Sequence, residues 1–213
     1  MKSMKYGCCI LLLCLYLLSC QEKEVEKKPS SGIREKSGVT EKVVPESPKK
    51  SAFDFKRFEI GKGRIGAIKV GQNISDFESE LTSLTKEVIE SYDVGFDGGG
   101  EVYLYQYNKE PILAIVPFYD TDSIIALVGF HKELKTSSGI HPKMTANELS
   151  KKYPQALYYL DLMNGGELLE DTEKGWIFVF NTNEKNQIGV YKEIEDGSKV
   201  RNGNVQMDWI TIR

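Results

Sequence analysis

The sequence predicts an α+β domain made of two tandem units, each a short helix packed on a small antiparallel sheet. Three observations support this fold class. A nine-residue pattern recurs 70 residues further along the chain. Each copy carries a signal for the start of a helix. Each copy is followed by short runs in which apolar and polar residues alternate between turn residues. We therefore expect one unit over residues 51–135 and a second over residues 136–213.

The recurring pattern reads VGQNISDFE at Val70–Glu78 and IHPKMTANE at Ile140–Glu148. Both copies place Ser or Thr three residues before Glu, which is the spacing of a capping box. In that motif the hydroxyl accepts a hydrogen bond from the backbone N–H of the Glu, and the carboxylate accepts one from the N–H of the cap residue. The sequence therefore predicts Ser75 and Thr145 as the N-caps of two equivalent helices.

Both predicted helices are short. The first is expected over residues 76–84, where the apolar residues share one side. The second is expected over residues 146–153, because Pro154 cannot continue a helix. In the second copy Met144 and Leu149 are spaced to contact each other across the cap as a hydrophobic staple.

Alternation of apolar and polar residues predicts four strands in the first unit and five in the second. Clusters of Gly, Asn, Asp and Pro separate them. The predicted strands of the first unit are 87–96, 102–107, 112–119 and 123–131. Those of the second unit are 156–162, 167–170, 176–181, 187–192 and 205–212.

Two predicted strands carry aromatic side chains at every second position, which places the rings on one face of each strand. These stripes are Tyr103, Tyr105 and Tyr107, and Trp176, Phe178 and Phe180. Such a stripe is typical of the face that a helix covers. If one stripe faced solvent instead, it would form a binding surface for sugar, peptide or another protein.

The second copy, Lys143–Leu149, reads KMTANEL and resembles the Gly-Met-Thr-x-x-Glu-Leu signature of small bacterial envelope lipoproteins. The resemblance is to the BamE (SmpA/OmlA) type, whose helix-plus-sheet unit also occurs in tandem in β-lactamase inhibitor protein. Lys143 stands where that family has glycine, and the first copy keeps a displaced glycine at Gly71. The resemblance covers the two strand-to-helix junctions, and it implies a binding or assembly role without a catalytic site.

Residues 1–19 combine two lysines with an apolar run that is shorter than the roughly 20 residues of a membrane-spanning helix. The run ends in Leu-Leu-Ser-Cys, which resembles a bacterial lipobox. This pattern predicts a signal peptide cleaved after Ser19 and acyl chains, such as palmitate, attached to Cys20. An ordinary signal peptide and an uncleaved anchor are the alternatives. We expect a bacterial membrane lipoprotein that is periplasmic or surface-exposed, with the outer membrane favoured.

Residues 20–50 contain no aromatic residue, and beyond Cys20 they are mainly charged or small. They are therefore predicted to be a disordered tether that spans roughly 30 Å. The rest of the chain, 51–213, has 18 Lys and Arg against 25 Asp and Glu, a net charge of −7. This acidic balance argues against a nucleic-acid partner and against adhesion to anionic lipid. Contact with the membrane is expected through the lipid on Cys20.

Few residues predict a cofactor or a metal. His131, His141 and Glu133 could approach one another, but their spacing does not match a metal-ligand motif, so we expect solvated side chains. The other three cysteines lie in the predicted signal peptide, which leaves no thiolate for a metal and no disulfide. We expect no bound cofactor and no metal site.

Three loop segments carry glycine or oxygen ligands. Asp97–Gly100 could bind phosphate, although it joins two predicted strands and therefore favours a hairpin turn. Asp120–Asp122 and Asn181–Glu184 could offer oxygens to calcium. Neither has the glycine and terminal glutamate of an EF-hand loop, so both are predicted to be turns.

The function that these patterns favour is a membrane-tethered binding or interaction module of the cell envelope, with a protein or another envelope component as partner. No catalytic motif is visible, so we do not expect an enzyme. An envelope-polymer hydrolase is the alternative, with Glu167, Glu170 and Asp171 as the carboxylates to suspect. The tandem architecture also suggests an inhibitor of a secreted enzyme.

Overall fold

A computed structural model describes residues 53–213. Cys20, Ser19, the predicted signal peptide and the whole of the predicted tether lie outside these described residues. The described part is mostly β: one eight-stranded antiparallel sheet, one three-stranded sheet and one short α-helix. The prediction of two helix-on-sheet units is therefore wrong. None of the helices in the described part is long and apolar enough to span a membrane.

The large sheet has the strand order β4-β5-β6-β7-β11-β10-β9-β8. Its strands are β4 (Thr85–Glu90), β5 (Glu101–Tyr107), β6 (Glu110–Pro117), β7 (Ile124–Gly129), β8 (Tyr159–Leu160), β9 (Glu167–Asp171), β10 (Trp176–Phe180) and β11 (Trp209–Ile212). The small sheet contains β1 (Ile60–Gly61), β2 (Arg64–Ile65) and β3 (Ile68–Lys69). The helix α1 is Ala146–Lys152. Short 3₁₀ helices lie at Phe55–Arg57, Ile74–Asp76, Glu78–Leu81 and Ser91–Val94.

The last strand explains why the two halves do not form separate units. β11 inserts between β7 and β10, so that Ile212 is the partner of both Leu127 and Trp176. All four residues of β11 are buried. A strand that is paired on both edges and covered on both faces joins the two halves into one continuous sheet. Alternation within a strand shows which residues share a face, but it does not show which strand lies alongside.

The first of the two predicted helices is absent, and Ser75 is not an N-cap. Ser75 is the middle residue of the 3₁₀ helix Ile74–Asp76, and the residue before that helix is Asn73. Asn73 forms a bridge with Ser123, and Ile74 donates its N–H to the carbonyl of Asp122 at 2.9 Å. These contacts keep Asn73 extended as the residue that precedes the helix. An N-cap must occupy that position, whereas Ser75 already lies within the helix.

Thr145, by contrast, is the N-cap of α1 with a complete capping box. Its backbone N–H donates to Oε2 of Glu148 at 2.8 Å, and the N–H of Glu148 donates to Oγ1 of Thr145 at 3.2 Å. The backbone N–H and the hydroxyl of Thr145 both donate hydrogen bonds to the carboxylate of Glu148, and these bonds lower the pKa of Glu148. Met144 and Leu149 are both buried beside the cap. The two segments with the same sequence pattern are thus not structurally equivalent.

One face of the large sheet carries the main core. The small sheet and α1 cover this face, and the indole N–H of Trp176 in β10 donates to the carbonyl of Gly61 in β1 at 3.1 Å. Both aromatic stripes lie here. Tyr105, Trp176, Phe178 and Phe180 are buried, while Tyr103 and Tyr107 are half-buried at its margin. The opposite face has a smaller apolar cluster around Val94 and Trp209.

The predicted strand at residues 187–192 is also absent. A buried carboxylate accepts the backbone hydrogen bonds that this segment would otherwise make to a neighbouring strand. Glu167 of β9 accepts hydrogen bonds from the N–H groups of Ile188 and Gly189, at 2.7 and 2.8 Å. The segment therefore runs as a loop across the end of β9. The small sheet β1–β3 was not predicted either, since its strands have only two residues each.

Candidate functional site: an acidic groove at one end of the large sheet

A groove of about 1000 Å³ lies at one end of the large sheet. Its walls come from the loop between β4 and β5 and from the turn between β6 and β7. We call it the acidic groove. Its lining includes carboxylates, aromatic rings, a proline and three glycines: Glu90, Phe96, Asp97, Gly98, Gly99, Gly100, Glu101, Tyr103, Pro117, Phe118, Tyr119, Asp120 and Asp122.

The turn between β6 and β7 presents two adjacent aromatic rings to solvent. The N–H of Phe118 donates to the carbonyl of Ser123 at 2.7 Å, and the N–H and hydroxyl of Thr121 both donate to the carbonyl of Phe118 at 2.9 Å. These bonds close the turn with Phe118 and Tyr119 at its tip, where they are 59% and 66% exposed. Asp120 takes a left-handed φ of 55°, a conformation that Asp adopts more readily than most residues.

The opposite wall is built on glycine because the ring of Tyr119 lies against it. A side chain at Gly100 would place its Cβ 3.3 Å from Cδ2 of that ring, and Gly100 has a φ of 102°. Its carbonyl accepts a 3.1 Å hydrogen bond from the N–H of Ser91, which closes the loop at its base. Gly98 and Gly99 have open space where a Cβ would lie. The backbone of this wall is therefore accessible from the groove.

The charged side chains of the acidic groove have one sign. Among residues 53–213, its lining includes five carboxylates, from Glu90, Asp97, Glu101, Asp120 and Asp122, and no Lys, Arg or His. All five residues are exposed. None of these carboxylates forms a salt bridge with another residue of the described range 53–213. These carboxylates give the groove a negative potential. At its margin, Lys86 and Arg213 contact the rings of Tyr103 and Phe96.

A second hollow, of about 190 Å³, adjoins the acidic groove and shares Phe96 and Asp97 with it. Arg213 lines the small hollow, with its guanidinium carbon 5.4 Å from the centre of the Phe96 ring. The indole of Trp209 lines the small hollow, but its N–H is buried away from solvent. This hollow is thus a shallow extension of the same end of the sheet.

The acidic groove lies at the opposite end of the sheet from Phe53, the first described residue. The ring of Phe53 packs 6.2 Å from that of Tyr107, which ends β5, whereas Glu101, which begins β5, lines the groove. Six residue steps along a strand separate the two ends by roughly 20 Å. Phe55 stacks on His131 just after β7, near the same end as Phe53.

Two of the segments singled out in the sequence meet in this groove. Asp97–Gly100 forms one wall, and Asp120–Asp122 belongs to the turn on the other side. Asp120–Asp122 lies in the turn between β6 and β7, as expected. Asp97–Gly100 does not form the expected hairpin turn, because the strand before it ends at Glu90 and the 3₁₀ helix Ser91–Val94 lies between. Within residues 53–213, no three His, Cys, Asp or Glu side chains are grouped so that they could hold a metal ion. The predicted strand 112–119 does not anticipate the exposed ring of Tyr119, because β6 ends at Pro117. Two adjacent aromatic residues directly before Asp-Thr-Asp were a usable signal, since both cannot face the same core.

The carboxylates suspected for hydrolysis do not form a pair that faces one open cleft. Glu167 is fully buried and accepts hydrogen bonds from two backbone N–H groups and from the hydroxyl of Tyr191. Asp171 accepts a 2.8 Å hydrogen bond from the hydroxyl of Tyr153. Glu170 is exposed and lines the small hollow.

The two histidines each have a local partner. His131 stacks on Phe55, and its Nε2 lies 3.3 Å from Oε1 of Glu110. Its Nδ1 accepts a hydrogen bond from the backbone N–H of Glu133 at 3.1 Å. His141 has its Nδ1 2.7 Å from the carbonyl oxygen of Pro142.

The comparisons with known proteins supply no family. No family model matches the chain, and no curated protein matches it. Among solved structures, the chain is similar to the crystal structure of the uncharacterized protein YfeY from Escherichia coli. That similarity has a TM-score of 0.47 and 8% sequence identity, and it covers 73% of this chain and 99% of the other.

Proposed function

We propose that this chain is a lipid-anchored binding protein of the bacterial cell envelope that presents the acidic groove to a partner. The lipobox-like sequence that ends in Cys20 supports the anchor. A lipid with several acyl chains holds a protein at a membrane for long periods. In this proposal the protein performs no covalent chemistry, and its role is to hold a partner near the bilayer, within the reach of the tether.

The observation that carries this proposal is the position of the groove. The folded domain is joined to the segment that bears Cys20 through Phe53, and the groove opens roughly 20 Å away, at the other end of β5. The chain enters the described domain at the end of β5 opposite the groove, and display requires a hollow that is accessible to a partner. Phe118 and Tyr119 support binding, because they are adjacent exposed aromatic side chains in a groove, and aromatic residues are enriched at protein interfaces.

The proposal is tested in intact cells of the host with a photo-crosslinking amino acid at position 119. We expect crosslinked products from position 119 and none from position 190, where Val190 is equally exposed but lies outside the groove. In the same cells, Cys20→Ala should abolish acyl labelling and reduce crosslinking. Identical products from positions 119 and 190, or undiminished acylation of the Cys20→Ala protein, would contradict the proposal.

A further inference from the structure

We infer that the acidic groove accepts an extended segment of a partner protein that carries Lys or Arg side chains. This inference rests on the proposed function, since it names the partner of the same groove. The first argument is charge. Five exposed carboxylates line the groove, no Lys, Arg or His of the part that the structure describes is among its lining residues, and residues 51–213 carry a net charge of −7. A cationic segment gains from this potential, whereas nucleic acid and anionic lipid are repelled.

The second argument is the aromatic lining. Lys and Arg bind the faces of aromatic rings through cation–π interaction. The protein already does this within its own fold: Nζ of Lys86 lies 3.9 Å from the centre of the Tyr103 ring, and Nζ of Lys174 lies 4.9 Å from that of Trp176. In the groove, the exposed rings of Phe118 and Tyr119 lie beside Asp120, and no Lys or Arg of the described range 53–213 lies over either ring. A basic side chain placed there would contact a ring and a carboxylate together.

The third argument is shape, which favours a peptide over a small cation. A volume of about 1000 Å³ is at the upper end of ligand sites, and therefore has room for several side chains. The bare backbone at Gly98 and Gly99 allows another main chain to approach closely enough for hydrogen bonds. A single metal ion would need grouped ligands, which the described residues do not supply.

The test uses the mature chain, residues 20–213, with Cys20→Ser so that it stays soluble without lipid. Three fluorescent peptides of about eight residues, roughly 26 Å long when extended, alternate Gly or Ser with Lys, with Gln or with Glu. Binding is measured by fluorescence anisotropy, and the site is mapped by the amide signals of Gly98–Gly100 in NMR spectra. We expect only the Lys peptide to bind and to shift these signals. Its affinity should fall at about 1 M salt, where the Debye length is about 3 Å.

Groove and control variants locate the interaction. Asp97→Asn, Asp120→Asn and Asp122→Asn together should weaken binding of the Lys peptide about tenfold or more. Asn also tolerates the left-handed backbone at position 120, so the turn is retained. The matched control is Glu184→Gln, Glu193→Gln and Glu195→Gln, which removes the same charge from exposed residues outside the groove and should leave the affinity unchanged.

Tyr119→Ala should weaken binding about 2- to 30-fold, and Tyr119→Phe should largely restore it, since the ring face is retained. Equal binding of the Gln and Lys peptides would overturn the inference of a cationic partner. The inference would also be overturned if the groove and control variants lost affinity for the Lys peptide equally, or if no peptide bound. Crosslinking at position 119 in cells would then still support the proposed function, so the two failures are distinguishable. Binding of the Lys peptide that appears only after residues 21–50 are removed would show that the protein's own basic tether occupies the groove, which also overturns it.

Discussion

The phenol of Tyr191 donates a hydrogen bond to the carboxylate of Glu167, which is completely shielded from solvent. Burial, and after it the hydrogen bond and the charge of Glu167, raise the pKa of Tyr191. Two backbone N–H groups, of Ile188 and Gly189, point at the same carboxylate. A single side chain from β9 therefore holds the loop that follows β10 and precedes β11.

The first prediction concerns the hydrogen bonds that Glu167 accepts from this loop. Glu167→Gln should lower the free energy of unfolding by about 1–3 kcal/mol, because in either orientation of the amide its NH₂ group replaces an oxygen that accepts a backbone N–H, of Ile188 or of Gly189. Urea unfolding followed by tryptophan fluorescence measures the change. The control is Glu170→Gln on the same strand, an exposed position where a change within about 0.5 kcal/mol is expected. Equal losses in both variants would show that the loop does not depend on the buried carboxylate.

The second prediction separates the two similar sequence segments. Thr145→Ala should cost about 0.5–2 kcal/mol of stability, because Thr145 caps α1. Ser75→Ala should change stability by less than about 0.5 kcal/mol, since the exposed Ser75 caps nothing. Thermal and urea unfolding of the two variants provide the comparison. If the Ser75 variant lost as much as the Thr145 variant, the first segment would have a capped helix in solution.

The third prediction concerns the dependence of stability on pH. Burial alone would raise the pKa of Asp171, but the hydrogen bonds from Tyr153 and Lys174 outweigh it and the net pKa is lowered. A lowered pKa stabilises the folded state above the unfolded pKa of about 3.9, and this contribution is lost as the pH falls through the folded value. Asp171→Asn should therefore be less stable than the wild type at neutral pH.

The difference between Asp171→Asn and the wild type should shrink as the pH is lowered below about 4, where the carboxyl of the unfolded chain is protonated. Urea unfolding at a series of pH values measures this convergence. Glu173→Gln is the control, because Glu173 is exposed and should show no such trend. A difference that stays constant over the acidic range would mean that the ionised form of Asp171 is not the stabilising one.

The fourth prediction concerns Lys143, which has a φ of 73° at the position where the resembling family has glycine. A left-handed backbone costs most residues about 1–2 kcal/mol, and glycine adopts it without that cost but loses about 0.5–1 kcal/mol in chain entropy. Lys143→Gly should therefore be more stable than Lys143→Ala by up to about 1 kcal/mol. Both variants lose the same 3.0 Å bond from Nζ to the carbonyl of Asp208, so the comparison isolates the backbone. An alanine variant as stable as the glycine variant would show that this turn relaxes.

Several local features were predictable from the sequence because neighbouring residues determine them. The capping box at Thr145 depends on residues three apart, and the structure has it with both hydrogen bonds. The predicted strands 102–107 and 176–181 agree with β5 and β10 to within one residue, since alternation and flanking turns are local signals. The same capping pattern failed at Ser75 because a distant strand turn, at Ser123, bridges to Asn73 and changes the local backbone.

The sequence by itself determined the alternation of the strands, the positions of the main turns and an acidic domain behind a lipobox-like start. Only the tertiary structure decided that β11 lies between β7 and β10, and therefore that there is one sheet and not two units. It also decided that the turn at Tyr119 meets the glycine loop at Gly100, which creates the acidic groove. The physical reason is that faces, caps and turns are set by contacts within a few residues. The partner of a strand depends instead on which distant surfaces bury most together.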